Sequence, residues 1–180
     1  QIREELKLND DDILIGNIGR MEKQKNQMFL VEVFKKLHEE NKNYKLIIIG
    51  EGKLENKIKK QISKCQLENA TYIKKRIKNI NEYMMAMDMF ALPSLYEGLG
   101  IVLIEGQASG LKCFTTVNTV AEETNITSNI KYLKLNKNVW KNAILNTNAR
   151  YDRTGNMEKE CKEFDIKNVA KKLENLYLNY

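Results

Sequence analysis

Histidine, proline and cysteine are scarce in this 180-residue chain, which has one His, one Pro and three Cys. Cys65, Cys113 and Cys161 are scattered and lack the spacing of metal ligands or of a disulfide framework. We therefore expect no cysteine metal site, and we expect reduced thiols in a cytoplasmic protein. No apolar run approaches the roughly 20 residues of a membrane-spanning helix, and the first residues do not resemble a signal peptide. The chain does not begin with Met, and we expect it to be a fragment of a longer protein.

Acidic residues are fewer than basic ones, since 30 Lys and Arg against 24 Asp and Glu give a net charge of +6. Such a surface could attract nucleic acid, anionic lipid or an anionic small molecule. Nucleic acid is disfavoured, because no aromatic residues interleave with the basic clusters and no DNA-binding motif is present. A solvated surface is the simpler interpretation of these clusters, which are Lys57, Lys59, Lys60 and Lys64, then Lys74, Lys75, Arg76 and Lys78.

The common nucleotide-binding fingerprints are also missing. Gly16 and Gly19 follow one another at the first apolar run, but three spaced glycines that open a helix do not occur there, and no Walker A sequence is present. Asp10, Asp11 and Asp12 precede a predicted strand, whereas a receiver domain needs its phosphoacceptor aspartate at a strand end. Neither a dinucleotide-binding fingerprint nor a receiver domain is therefore expected.

Short apolar runs alternate with amphipathic segments along the chain. This alternation predicts an α/β fold with a parallel sheet of about six strands and helices on both faces. The predicted strands are 13–18, 45–49, 70–73, 89–92, 112–116 and 132–135, and the main helices are 26–40, 54–65, 80–87, 101–108, 139–146 and 165–180. A ligand of such a sheet lies at the carboxyl ends of the strands. The loops that follow strands, at 19–25, 50–52, 74–78 and 93–100, are therefore the candidates for a site.

The only proline, Pro93, ends the fourth predicted strand, and Gly98 and Gly100 lead into the apolar helix 101–108. A strand, a glycine turn and a helix in that order leave free backbone N–H groups at a helix N-terminus, which favours a phosphate.

Two carboxylates bracket this turn, Glu97 before the helix and Glu105 inside it. Because four apolar residues precede Glu105, we expect it near the core, where a carboxylate needs strong donors such as a ribose diol. Eight helical residues rise about 12 Å, which is roughly the length of a nucleoside diphosphate. The alternative is an exposed Glu97 with Glu105 paired to a lysine.

Four motifs at these loops occur in an order that matches a known family. They are Gly19-Arg20 with Lys25-Asn26, Ile47-Ile48-Ile49-Gly50-Glu51-Gly52, Leu92-Pro93-Ser94, and Glu97-Gly98-Leu99-Gly100 with Glu105 and Gly110. Together they resemble the C-terminal, donor-binding half of retaining glycosyltransferases of family 4, also called group 1, over about residues 13–135. The resemblance implies the GT-B architecture, in which two Rossmann-like domains face a cleft, and this chain supplies the second. We expect a single such domain over 1–180, with a core at about 13–150 and a C-terminal helical segment at 155–180.

The resemblance also implies roles for individual residues by position. Arg20 and Lys25 match the family's basic pair on the donor diphosphate, where two solvated loop cations are the alternative. Glu97 matches the residue that holds the donor sugar's hydroxyls, and Glu105 the one that holds the ribose diol. The catalytic set is thus Arg20, Lys25 and Glu97. The further donor-binding residues are Gly19, Glu105, Gly98, Leu99, Gly100 and Ile101 around the diphosphate, and Arg76 and Ile77 beside the base.

The chain departs from the family pattern at three places. Gly106 stands where an alanine is usual and Lys112 where a proline is usual, and residues 117–129 lack a glycine-rich segment. The main donor contacts are kept, but the identity of the donor is left open.

The implied activity is retaining, metal-independent transfer from a nucleoside diphosphate sugar, with a UDP-sugar slightly favoured and no cofactor. The acceptor is expected to be a saccharide or a lipid-linked molecule in cell-surface polysaccharide synthesis, and the location cytoplasmic or at the cytoplasmic face of the membrane. The missing N-terminal domain is the expected partner, so the isolated chain should be inactive. The alternatives are a nucleotide-sugar epimerase of GT-B type and a non-catalytic nucleotide-binding module. The last helix either crosses to that missing domain or packs on its own sheet.

Overall fold

A computed structural model of the chain describes residues 1–151, 153 and 161–178. Its centre is a parallel sheet of six strands, β1 Ile13–Ile18, β2 Tyr44–Ile49, β3 Thr71–Lys74, β4 Met89–Leu92, β5 Lys112–Thr116 and β6 Ile130–Leu133. The order of the strands is β3–β2–β1–β4–β5–β6. The inner strands β1, β2 and β4 are almost continuous apolar runs because both faces of the sheet are covered there.

Helices cover the two faces of the sheet and bury a core on each side. Their bounds are α1 Ile2–Glu5, α2 Gln27–Glu40, α3 Glu55–Lys64, α4 Ile80–Ala86, α5 Ile101–Ala108, α6 Lys137–Leu145 and α7 Ile166–Leu178. One core lies under α2, α3 and α6, where Phe34 and Trp140 are fully buried. The other lies under α1, α4 and α5, where Met84 and Leu103 are buried. The predicted α/β class, with helices on both faces of a six-stranded parallel sheet, is confirmed.

The order of the strands reverses between β1 and β4. The chain runs outward from β1 to β2 and β3, returns to the other side of β1 as β4, and continues to β5 and β6. In an open α/β sheet such a switch point opens a crevice at the carboxyl ends of the two central strands. The loops that follow β1 and β4 therefore meet there.

The predicted bounds hold for β1, β4, β5 and α5, and most other ends differ by one or two residues. The sixth strand was predicted two residues too late, at 132–135. The apolar residues that suggested that position, Tyr132 and Leu135, are 37% and 40% exposed. Pairing with β5 fixes the strand instead, because Cys113 lies opposite Ile130.

The last helix, α7, buries none of its residues, and Ile166 and Leu176 on its apolar stripe are 76% and 59% exposed. It starts after Asp165, whose carboxylate accepts the backbone N–H of Lys167 at 2.8 Å, as predicted for a capping residue. Within the described residues the apolar stripe of this helix is therefore largely exposed. Gly155, where the predicted C-terminal segment begins, lies outside the described residues, as do the last two residues of the predicted helix.

In the part of the chain described, no helix combines the length and the apolar character needed to cross a membrane.

Candidate functional site

The loops that follow β1 and β4 are fastened to each other by backbone and side-chain hydrogen bonds. The backbone N–H of Leu95 donates to the carbonyl of Gln24 at 2.8 Å, and the Gln24 amide returns a bond to the carbonyl of Tyr96 at 2.9 Å. The Asn26 amide donates to the carbonyl of Pro93 at 3.1 Å. Asn26 itself holds a left-handed backbone with φ 53° at the start of α2, a conformation that Asn tolerates better than most residues. The two loops therefore form one unit.

An ion pair lies at the centre of this unit. The ammonium Nζ of Lys25 is 2.6 Å from Oε1 of Glu97, and their side chains are only 15% and 7% exposed. The hydroxyl of Ser94 donates to the same oxygen at 2.5 Å. The backbone N–H of Glu97 donates to the carbonyl of Thr119 at 2.7 Å. The donors from Lys25 and Ser94 stabilise this shielded carboxylate, because an unpaired charge there would be costly.

The loop after β2 supports the first of these loops through two close backbone approaches. A Cβ atom on Gly50 would lie 2.1 Å from the carbonyl oxygen of Gly19, and one on Gly52 would lie 2.6 Å from that of Met21. Both glycines also have positive φ angles, 148° and 159°, which side chains rarely allow. The loop at 50–52 was predicted to be a candidate for the site, and its two glycines allow it to lie directly against Gly19 and Met21 of the first loop.

The fourth feature is the N-terminus of α5, which opens onto the same crevice. Gly100 caps the helix with a left-handed backbone of φ 67°. The N–H groups of a first helical turn have no intrahelical acceptors, so they face outward with the positive end of the helix dipole. The segment after β5 supports this turn, since the hydroxyl of the fully buried Thr124 donates to the carbonyl of Leu99 at 2.7 Å.

These features line an open pocket of about 460 Å³ at the carboxyl ends of β1 and β4. Eight of the eleven predicted site residues line it, so the structure brings together most of the predicted set. The full lining is Ile18, Gly19, Lys25, Glu97, Gly98, Leu99, Gly100, Ile101, Val102 and Glu105.

Arg20, Arg76 and Ile77 are the predicted residues that do not line the pocket. The Arg20 side chain is 74% exposed and lies 3.8 Å from Glu22. The Arg76 side chain is 83% exposed and lies 3.1 Å from Glu51, and Ile77 packs at the edge of the core. Their predicted roles stay predictions.

Glu105 is not near the core, so this prediction was wrong. The inward face of α5 consists of Leu103, Ile104, Gly106 and Gln107, all buried. Glu105 lies on the opposite face with the exposed Ile101, four residues earlier, because a helix places residues i and i+4 on one side. Its carboxyl is nevertheless partly buried where it lines the pocket, and this partial burial raises its pKa.

Sequence reasoning missed three contributors. Ser94 had no predicted role of its own, although its position three residues before Glu97 could have indicated a contact between the two side chains. Ile18 and Val102 complete the lining, and their apolar character gave no signal that separates them from core residues.

Among the described residues, no three His, Cys, Asp or Glu side chains lie close enough together to hold a metal ion.

The sequence of the first 145 residues matches a family model, "Glycosyl transferases group 1". The chain belongs to this family. A relative from Escherichia coli, UDP-Gal:alpha-D-GlcNAc-diphosphoundecaprenol alpha-1,3-galactosyltransferase, is 29% identical over 119 residues, which are 62% of this chain and 30% of the relative. The chain spans no more than about a third of the length of the curated relatives it matches.

Solved structures of glycosyltransferases share the fold. Anabaena HepE in complex with UDP and glucose superposes with a TM-score of 0.81 at 16% identity, covering 99% of this chain and 51% of HepE. The C-terminal domain of the group 1 protein LpcC from Francisella tularensis gives 0.72 at 18% identity, covering 91% of both chains. The group 1 chain therefore has the fold of the C-terminal half of a GT-B glycosyltransferase.

Proposed function

We propose that this chain, residues 1–180 with its core at about 13–150, is the donor-binding domain of a retaining, metal-independent glycosyltransferase. It binds a nucleoside diphosphate sugar, with a UDP-sugar favoured. The observation that carries the proposal is the buried Lys25–Glu97 pair at the N-terminus of α5, in a pocket that Glu105 also lines.

The diphosphate lies between Lys25 and the first turn of α5. An ammonium has three N–H donors, and only one is used on Glu97, so the others remain for phosphate oxygens. The backbone N–H groups of Gly98 to Ile101 supply further donors, and a helix N-terminus favours an anion. Arg20 follows Gly19, which lines the pocket, and its exposed side chain is long enough to turn toward the phosphates.

The ribose lies against Glu105. Partial burial raises the pKa of this carboxyl, which means that its surroundings disfavour the charged form. Two donated hydrogen bonds from a vicinal diol would compensate for that loss of solvation. The sugar of the donor lies against Glu97, at the other end of the turn.

A UDP-sugar is favoured because the Escherichia coli relative is named for UDP-Gal and because HepE was solved with UDP. That relative is also named for a diphosphoundecaprenol-linked substrate, which supports a lipid-linked or saccharide acceptor in polysaccharide synthesis, with the enzyme working at the cytoplasmic face of a membrane. The acceptor site belongs to an N-terminal domain, and the exposed stripe of α7 contacts that domain.

Calorimetric titration of the chain with UDP, GDP, ADP and pyrophosphate tests the donor site. We expect weak but saturable binding of UDP at millimolar concentrations, because the only cation among the described lining residues is already paired. Glu105→Ala should lose this binding while weak pyrophosphate binding is kept or improved, because the substitution removes a ribose acceptor and a negative charge. Glu39→Ala, an exposed glutamate on α2, is the matched control and should bind UDP normally. Binding of none of the nucleotides by a folded sample, or equal UDP binding by both variants, would refute the proposal.

The same proposal predicts no sugar transfer by the chain alone, since the acceptor site lies elsewhere. Incubation with UDP-glucose and a lipid-linked acceptor should give no product, and robust turnover would contradict the assignment of the acceptor site to another domain.

A further inference from the structure

The two carboxylate oxygens of Glu97 have different surroundings. Oε1 accepts both the Lys25 ammonium at 2.6 Å and the Ser94 hydroxyl at 2.5 Å. Oε2 has no hydrogen-bond donor among the described residues, and it is not one of the buried side-chain atoms without a partner. Because Glu97 lines the pocket, Oε2 is the oxygen that water or a ligand in the pocket can reach.

The surroundings of Ser94 fix its position. Its side chain is fully buried, and it follows Pro93, whose ring fixes the backbone φ angle. The carbonyl of Pro93 accepts the Asn26 amide, and the N–H of the next residue, Leu95, is bonded to the first loop. The hydroxyl therefore occupies a fixed point relative to both loops.

We propose that Ser94 is a positioning residue that, together with Lys25, fixes Oε1 of Glu97 so that Oε2 alone is presented to the donor sugar. The terminal torsion of a glutamate is broad, so a single contact would leave the carboxylate free to rotate. Two donors on one oxygen restrict that rotation. The inference rests on the proposed function, and it adds that the contact of Glu97 with the sugar depends on a residue that does not itself touch the ligand.

The measurement that separates positioning from general stability is the ratio of the Kd values for UDP-glucose and UDP. In Ser94→Ala we expect the Kd for UDP-glucose to rise roughly tenfold, as for one impaired hydrogen bond to a charged group. The Kd for UDP should change less than about twofold, because neither the phosphates nor the ribose contact Glu97. A purely structural role would weaken both ligands equally.

Thr115→Val is the matched control. Thr115 is also fully buried beside the site, and its hydroxyl donates to the carbonyl of Leu92 at 3.1 Å rather than to a carboxylate. Its loss should leave the ratio unchanged. Ser94→Cys places a weak donor of similar shape at the site and should give an intermediate ratio, so it supplies the same test if Ser94→Ala does not fold.

A double-mutant cycle with Glu97→Gln tests whether Ser94 acts through Glu97. In the Glu97→Gln background, Ser94→Ala should cause no further loss of UDP-glucose affinity. This inference is overturned if Ser94→Ala leaves the ratio of the Kd values for UDP-glucose and UDP unchanged, or if Ser94→Ala causes its full loss of affinity in the Glu97→Gln background as well. In either case, UDP binding by the wild type still supports the proposed function. Failure of the wild type to bind UDP refutes both.

Discussion

Removal of the Lys25 charge tests the central ion pair without any ligand. Lys25→Met keeps an unbranched side chain that is one atom shorter, but it leaves Glu97 without its cation in surroundings where only 7% of its side chain is exposed. Loss of one member of a buried pair is strongly destabilising because the remaining charge is neither solvated nor paired. We therefore expect the variant to be less stable than the wild type.

The size of this loss depends on the interactions that Glu97 retains in the variant. Breaking a fully buried pair costs about 3–5 kcal/mol. Here the hydroxyl of Ser94 still donates to Oε1, and the pocket is open to water, so the loss should be smaller. We expect a decrease of about 2 kcal/mol in the free energy of unfolding, or about 4–8 °C in Tm for a domain of this size.

Urea and thermal denaturation followed by circular dichroism would measure this change. The control is Lys35→Met, because Lys35 lies 3.7 Å from Glu39 with both side chains about half exposed, and such surface pairs contribute about 0.5 kcal/mol or less. The double variant Lys25→Met/Glu97→Gln should be more stable than Lys25→Met, since it leaves no unpaired charge. Equal losses in the two lysine variants would refute the reasoning.

Four further predictions concern stability. Gly50→Ala should lose about 3 kcal/mol or more in urea denaturation, because its Cβ would lie 2.1 Å from a carbonyl oxygen, whereas Gly98→Ala, with open space around its Cβ, should be nearly neutral. Gln107→Leu should lower the free energy of unfolding by about 2 kcal/mol, because the buried Gln107 amide donates a hydrogen bond to the carbonyl of Thr124 at 2.7 Å. Amide hydrogen exchange should then be faster in the segment around Thr124. Burial raises the folded-state pKa of Glu105, so this group favours folding in acid and loses that contribution as the pH rises through the folded-state pKa. Glu105→Gln should therefore match the wild type in acid and exceed its stability at neutral pH. Glu40→Gln should instead lose stability at neutral pH and match in acid, because a hydrogen bond from Lys141 lowers the pKa of Glu40.

The central strands and the glycine turn could be predicted from the sequence because each has a strong local signal. Both faces of β1 and β4 are buried, so they appear as unbroken apolar runs, and Pro93 marks where β4 ends. The edge strand β6 has only one neighbour and exposes its middle residues, so its apolar pattern is weak, and the prediction was displaced by two residues.

The position of Glu105 was mispredicted for a different reason. All four residues of α5 before Glu105 are apolar, so composition could not tell the inward face from the outward one. The period of the helix places Glu105 on the outward face once the inward face is known. The inward face is set by its packing partners, such as Cys113 of β5 against Gly106, and these become neighbours only in the folded chain. The pairing of Lys25 with Glu97 could not be predicted either, because 72 residues separate them and each motif alone suggested only a ligand contact.

The charges of the pocket explain why the chain by itself should bind its donor weakly. The described lining residues include one cation, Lys25, and two carboxylates, Glu97 and Glu105. Lys25 is already paired with Glu97. A nucleoside diphosphate carries several negative charges, so these side chains give no net attraction. The N-terminus of α5 contributes at most about 2 kcal/mol, whereas even a millimolar Kd needs about 4 kcal/mol. Under the proposed function we therefore expect Arg20, whose side chain is 74% exposed and lies 3.8 Å from Glu22, to add attraction when it turns toward the phosphates. The buried pair orders the site in advance, and Arg20 is the cation beside it that is free to move toward a ligand.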